Sequence, residues 1–561
     1  MPTYRALLAC TLMFSVGEAG AQIRPPQKIG FKTGGFTGDL NDGDNFGNSI
    51  ASMGDIDADG IPDLAVGAPY DDDGTVWILF MNADGMVRSY QKISKTEGGF
   101  KDLVGDFRFG LFLANGTDLD GDGRDELLLG GNDSVHTLFL NEDGTVRTQV
   151  VTLLPNLTTH LRPGTRFAVA GDLDDDGHVE LLVGSPAGLM GAGDASVWTL
   201  TRDGTTPFKG INNPTTKGND NYGTGLTDLG DLDNNGILDI AISAPGDDDG
   251  ETDAGSVYIF LLERVPTGSS PRIQARSIQK ISLLSGGLRA DLRPGSRFGT
   301  SLSSLGDIDG DDVPDLVVGS PKHPGGGTSR GAAHVLFLNR DGTVKLDYTF
   351  EGGEDGSPLP LHDGDEFGTD VEVVGDYNND GVPDVAVGAP YDDEGGHDRG
   401  AVWILFGLPE IPASVTIQEE TPAQPTINED ITVHAFVKGV GEASNVNVNW
   451  RQGGDNDFTS TVMNADGGGQ YSALIKHYAV SERGIEYFVS ATTSTGSPSR
   501  SPADGWASIV VKVPNGIYGP VPGGTSANSY RLISVPIDLD KKGARTVFES
   551  SLGPYDSAVW R

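Results

Sequence analysis

The sequence predicts an all-β fold built from a repeated unit, and two observations carry that expectation. Of 561 residues, 81 are glycine and only 7% are aromatic, a composition rich in turns. Six times, moreover, a nine-residue acidic pattern returns and leads into a short apolar run, as in Leu64-Ala65-Val66, Leu181-Leu182-Val183 and Val385-Ala386-Val387. Such a run, closed by Gly and Pro, is a buried strand. The copies are spaced by roughly 64 residues, too long for a solenoid unit and suited to a four-stranded blade with generous loops. The expected architecture is a β-propeller of six repeats, with six blades.

Within a repeat the order is constant. An aromatic-Gly pair comes first: Phe46-Gly47, Phe109-Gly110, Tyr222-Gly223, Phe298-Gly299 and Phe367-Gly368, with Phe167-Ala168 as the exception. The acidic loop follows, then a strand ending in Gly67-Ala68-Pro69, Gly184-Ser185-Pro186, Ser243-Ala244-Pro245, Gly319-Ser320-Pro321 or Gly388-Ala389-Pro390. The second repeat is degenerate, with Gly130-Gly131-Asn132 there. A third strand is typified by Val76-Trp77-Ile78-Leu79-Phe80, and a fourth by Gln91-Lys92-Ile93 and Gln279-Lys280-Ile281. Gln27-Lys28-Ile29 is a fourth-strand sequence placed before the first repeat, and the last repeat ends after its third strand. The N-terminal strand should therefore complete the last blade and close the ring, removing exposed sheet edges.

The acidic loops place an oxygen ligand at positions 1, 3, 5 and 9. The sets are Asp55, Asp57, Asp59, Asp63; Asp118, Asp120, Asp122, Glu126; and Asp172, Asp174, Asp176, Glu180. The remaining three are Asp231, Asp233, Asn235, Asp239; Asp307, Asp309, Asp311, Asp315; and Asp376, Asn378, Asp380, Asp384. Carboxylates this close repel one another, and a hard cation relieves the repulsion. Ca²⁺ takes six to eight oxygens in a tolerant geometry, whereas Mg²⁺ demands a strict octahedron and Zn²⁺ wants His or Cys. Six solvated turns that bind nothing would not share one spacing, so about six Ca²⁺ are expected. An EF-hand would put its bidentate Glu at position 12 between helices; here position 9 opens a strand. Asn235 and Asn378 remove a ligand charge, and Asp312 stands where the other loops have Gly. Loops four, five and six are accordingly expected to bind least tightly.

These residues resemble FG-GAP repeats, and the array over roughly residues 27–412 is similar to the β-propeller of integrin α subunits and its bacterial relatives. Integrin propellers have seven blades with calcium in only some, so the resemblance makes seven blades possible here. Up-and-down connectivity puts the acidic loops on one face and the loops joining strands 2 to 3, with the links between blades, on the other. By analogy the second face is the ligand face. It carries Asp71-Asp72-Asp73, Asp247-Asp248-Asp249 and Asp392-Asp393-Glu394. It also carries two near-identical segments, Leu161-Arg162-Pro163-Gly164-Thr165-Arg166-Phe167 and Leu292-Arg293-Pro294-Gly295-Ser296-Arg297-Phe298. Turn chemistry on a solvated rim explains those charges equally well.

At the N-terminus Arg5, the apolar run Ala6 to Val16 and Ala19-Gly20-Ala21 form an export signal over residues 1–21. The run is too short for a transmembrane anchor. The one cysteine, Cys10, lies inside it, so no disulfide is expected in the exported chain. Residues 22–412 form the propeller. From 413 to 512 alternation takes over in Val433-Ala435-Val437, Val446-Val448-Trp450 and Tyr487-Val489, which reads as a β-sandwich resembling immunoglobulin-like or fibronectin-like modules. Residues 513–561 read as a linker or part of a further domain.

A net charge of −41 argues against a nucleic-acid partner. The nine histidines form no metal or nucleophile–base spacing, and no Gly-x-Ser-x-Gly elbow, P-loop or cysteine nucleophile is present. The expected function is a secreted or cell-surface, non-catalytic binding or adhesion module for an extracellular protein or glycan. The alternative is a carbohydrate-active enzyme such as a polysaccharide lyase, for which Arg162, Arg166, Arg293 and Arg297 are the only hint.

Overall fold

The computed structural model describes residues 24–509 less a number of short segments, the longest being 155–165. The leader assigned to residues 1–21 and the segment 513–561 lie outside the described residues, as does the junction at 412–413. The described chain is all-β, with one short 3₁₀ turn at His477–Ala479.

Six four-stranded antiparallel sheets occupy the first part of the described chain. Sheet one contains Ser49–Ser52, Leu64–Ala68, Thr75–Met81 and Val87–Ser94; sheet two contains Leu113–Asn115, Leu127–Gly130, Ser134–Leu140 and Val146–Leu153. Sheet three contains Arg166–Val169, Val179–Gly184, Ala195–Thr201 and Gly204–Ile211; sheet four contains Leu226–Gly230, Asp239–Ala244, Ser256–Thr267 and Ser270–Ile281. Sheet five contains Leu302–Gly306, Asp315–Ser320, Ala332–Leu338 and Val344–Glu351. Sheet six contains Val371–Gly375, Asp384–Ala389 and Ala401–Leu405, and its fourth strand is Gln27–Gly30 from the start of the chain. Gln27 pairs with Ile404 and Ile29 with Val402. The N-terminal segment thus completes the last sheet, as its sequence indicated.

The cores lie between sheets rather than within them. One apolar cluster joins each neighbouring pair: Phe46, Leu64 and Ile404 between six and one; Ile78, Phe109 and Leu127 between one and two; Leu128, Phe167 and Trp198 between two and three. The series continues with Val197, Tyr222 and Ile240, then Val257, Phe298 and Leu316, then Phe337, Phe367 and Trp403, which returns to sheet six. Each second strand is therefore covered on both faces, which is why Leu64–Ala68 and Asp384–Ala389 are buried at every position and do not alternate. The result is a propeller-like ring.

The aromatic-Gly pairs fasten sheet to sheet. Phe46, Phe109, Tyr222, Phe298 and Phe367 are fully buried, and each makes a parallel bridge to the glycine that precedes the third strand of the preceding sheet: Gly400, Gly74, Gly193, Gly255 and Gly331. The following glycine turns the chain back with positive φ; at Gly368 (φ 89°) a Cβ would stand 2.3 Å from the Ala332 carbonyl oxygen. Phe167-Ala168 lacks that glycine, and among the described residues its junction lacks the bridge.

Beyond residue 413 two further sheets face each other across one core. The first is ordered Ser414–Ile417, Ile431–Lys438, Gln470–Ile475, Asn464–Gly467. The second is ordered Thr459–Val462, Asn447–Gln452, Ile485–Thr492, Pro498–Ser501, with Ala507–Ile509 also on Ile485–Thr492. Val433, Ala435, Val448, Tyr487 and Val489 fill the space between, and Trp450 packs at its margin.

Candidate metal loops and the opposite face

Each acidic loop links the first strand of its sheet to the second, and its backbone is organised by its own carboxylates. The position 1 aspartate accepts the backbone N–H groups of positions 5 and 6 in all six loops, at 2.7–3.1 Å. Position 6 sits at positive φ, from Gly60 (91°) to Gly381 (88°); Asp312 adopts it too, at 59°. The position 9 side chain is buried and accepts the position 2 N–H, as Ile56 donates to Asp63 at 3.1 Å and Tyr377 to Asp384 at 2.9 Å. In four loops its second oxygen accepts an N–H from the third strand or just past it, from Met81, Leu262, Leu338 or Gly407. Burial, reinforced by neighbouring like charge, pushes these carboxyls up: Asp63, Glu126 and Glu180 to about 7, Asp315 to about 8, Asp239 and Asp384 to about 6.

One atom marks what the loops are shaped to hold. The Oδ1 of position 3 is buried without a hydrogen-bond partner in five loops: Asp57, Asp120, Asp174, Asp233 and Asp309. In the sixth, Asn378 Oδ1 accepts the Asp380 N–H instead. A carboxylate oxygen that is repeatedly orphaned in the same place fits a cation rather than a protein donor. Single oxygens from Asp55, Asp57 and Asp63 lie within 4.8 Å of one another, as do those of Asp118, Asp120 and Asp122, of Asp172, Asp174 and Glu180, and of Asp231, Asp233 and Asp239. The donor set is all oxygen, which suits a hard divalent cation.

The sequence reading missed a second component. A basic side chain from the fourth strand of the same sheet reaches position 3 of four loops, and position 5 as well in three of them. Arg88 pairs with Asp57 and Asp59; Arg147 pairs with Asp120 at 2.6 Å and Asp122 at 2.8 Å. Arg276 pairs with Asp233, and Lys345 pairs with Asp309 at 2.8 Å and with Asp311. The signal was available: Asn82-x-Asp84-Gly85-x-Val87-Arg88 returns as Asn141 to Arg147 and as Asn339 to Lys345. In loop six Asn378 Nδ2 donates to Asp380 at 2.9 Å.

On the opposite face the Gln-Lys-Ile motif has a defined task. Lys28, Lys92 and Lys280 pair with the first aspartate of a strand 2–3 loop: Asp392 at 2.7 Å, Asp71 at 2.9 Å and Asp247 at 2.9 Å. Each ammonium also lies over the third-strand aromatic, Trp403, Trp77 or Tyr258, at 5.2–5.7 Å. These aspartates are buried and serve the fold. In sheet five a neutral network replaces the ion pair, with His334 bonded to Thr349 Oγ1 at 2.9 Å and Ser320 Oγ at 3.0 Å. The two arginine-rich segments do not match in space. Arg297 pairs with Asp253 at 3.5 Å and Arg293 with Asp291, whereas Arg166 lies over the Phe112 ring at 4.4 Å. Arg162 lies outside the described residues.

Comparison with known proteins agrees with this construction. Residues 46–79, 227–260, 298–336 and 367–405 match the FG-GAP repeat, and 118–183 match the FG-GAP-like repeat. The chain is 28% identical to integrin alpha-PS5 of Drosophila melanogaster over 206 residues, 36% of this chain and 18% of that one. It is 37% identical to Drosophila integrin alpha-PS2 over 122 residues, 21% of this chain and 8% of that one. Human integrin alpha-7 is 38% identical over 94 residues, 17% and 8% respectively. The chain thus spans less than one fifth of the length of these relatives. It carries FG-GAP repeats in an integrin-like propeller. Among the described residues no helix is long and apolar enough to cross a membrane.

Proposed function

We propose that this chain is an exported, six-bladed, calcium-stabilised propeller over residues 22–412, followed by an immunoglobulin-like sandwich over 413–512, and that it acts as a non-catalytic binding or adhesion module for an extracellular protein or glycan. The observation that carries the calcium reading is the buried, partnerless position 3 oxygen in five of the six loops. The ligands are the four oxygen-bearing side chains of each loop, and the ion neutralises carboxylates that burial otherwise disfavours as anions. The binding role rests on the likeness to integrin α subunits. The face opposite the loops is the ligand face, where Tyr70 and Tyr391 are substantially exposed. The lyase reading gains no support among the described residues, where Arg293 and Arg297 are each paired with an aspartate and neither lines the cavity that Arg166 lines.

Calorimetry in calcium and in chelator tests the first half. A ligand that binds only the folded state raises its stability, so the transition should fall in chelator, and bound calcium should approach six per chain. Equal transitions would refute it. Screening calcium-loaded protein against glycan and extracellular-protein arrays tests the second half, and a uronic-acid polymer assay that shows unsaturated product would replace it with the enzyme.

A further inference from the structure

The first strands of the six sheets enclose an axial cavity of 520 Å³, within the ordinary range for a small-molecule site. Its charged lining is Arg166, Asp228, Asp370 and Glu372, with Asp125 at one end. Arg166 belongs to sheet three, while Asp370 and Glu372 belong to sheet six, three places away on a ring of six. Cation and anions therefore face each other across the space, where Arg166 and Asp370 attract each other without a direct ion-pair contact. Arg166 lies over the Phe112 ring, and its guanidinium donates no hydrogen bond to another described residue. Asp370 and Glu372 are held by hydrogen bonds from neighbouring sheets. Asp370 Oδ2 accepts the Ile50 N–H at 2.8 Å; Glu372 Oε1 accepts the Ser52 N–H at 3.1 Å and Oε2 the Ser303 hydroxyl at 3.3 Å. Among the described residues none of Asp228, Asp370 and Glu372 has an ion pair. Burial pushes Asp370 to about 6, with the Arg166 charge across the cavity holding it back, and pushes Glu372, beside the like charge of Asp370, to about 8.

We propose that this cavity binds a small zwitterion with excess positive charge, of the basic amino-acid class, its carboxylate on Arg166 and its ammonium groups on Asp370 and Glu372. A fork of guanidinium donors matches a carboxylate, and the acidic wall, richer in charge than the single arginine, sets the preference for a second ammonium. The site shares no residue with the proposed metal ligands, although Asp125 of loop two borders it, and it does not depend on the adhesion reading.

Titration calorimetry of the full, calcium-loaded chain with L-lysine, cadaverine and N-acetylglycine decides the matter. L-lysine should bind one to one, with cadaverine, which lacks the carboxylate, and N-acetylglycine, which lacks the ammonium, each weaker by about tenfold or more. Arg166→Gln should weaken L-lysine by about tenfold and leave cadaverine unchanged, while Glu372→Gln, which keeps the shape and can still accept the Ser52 N–H while its amide donates to the Ser303 hydroxyl, should weaken both. Melting curves identify a variant that fails to fold. Should Glu372→Gln fail, Arg166→Gln still decides, since its described contact is the Phe112 ring. No L-lysine binding at millimolar concentration would overturn the proposal. So would cadaverine binding as tightly as L-lysine with Arg166→Gln silent, since that describes a cation trap.

Discussion

Position 3 of an acidic loop and the basic side chain that reaches it form a unit the loop alone does not reveal. Loop one with Arg88 and loop six with neutral Asn378 end with the same formal charge, so Asn378 is a weaker handicap than the spacing suggested. Loop four combines Asn235 with Arg276 and is the least negative of the three. Its ion should leave first in a site-resolved calcium titration, ahead of loops five and six. Arg88→Gln should tighten calcium at loop one and lower the melting point in chelator, by less than about 1 kcal/mol for so exposed a pair. A tighter site without any loss in chelator would show that Arg88 only competes. A second residue sets an acid limit. His334 is fully buried and neutral, its pKa pushed down to about 3 by burial with His323 beside it, against 6.5 ordinarily. The unfolded chain thus binds the extra proton. The contribution is whole above 6.5 and is lost at about 1.4 kcal/mol per pH unit as pH falls from there toward 3. Urea melts at pH 7 and pH 5 should differ accordingly, and His334→Gln should flatten that dependence whatever it does to the absolute stability.

At the scale of elements, the aromatic-Gly pair is the joint between sheets, and its glycine is required because any Cβ meets the neighbouring sheet's backbone. Gly368→Ala should cost about 1–3 kcal/mol in denaturant melts, from strain at positive φ and the clash with Ala332. Ala168→Gly should change little, because Ala168 lies within a strand and, among the described residues, its junction shows no bridge. A neutral Gly368→Ala would mean the joint is set by the aromatic alone. The loops were legible in the sequence because their four ligands sit within nine consecutive residues, whereas the aromatic-Gly pairs were legible as a pattern but not as joints, since each bridges to a glycine of another sheet. The basic partners were not, since each lies a strand pair away and only pairing brings Arg88 to Asp57. The axial cavity was illegible for the same reason, its walls coming from residues as distant as Arg166 and Glu372. Near-identity of sequence even misled: Arg166 and Arg297 look like equivalents, but Gly299 takes a positive φ where Ala168 continues a strand that begins at Arg166.

For the whole molecule, six interfacial cores in a circle mean that no sheet owns its core, so the ring should melt as one unit. Removing residues 24–30 should expose Ala401–Leu405 as an open edge beside a half-covered core. The shortened protein should self-associate in light scattering while the intact chain does not, as unpaired edges invite. A monomeric shortened chain with an unchanged melting point would show that the Phe46–Gly400 joint suffices for closure.

Closure by Gln27–Gly30 also imposes an order in time. The first strand of the ring to be synthesised pairs with Ala401–Leu405, nearly the last, so it has no partner while the intervening sheets are being made. A chain interrupted anywhere before Ala401 has two raw ends, however well its early loops have captured their ions. Completion is therefore read at a single moment, when one late strand finds the earliest, and quality control that senses open sheet edges would see every unfinished copy.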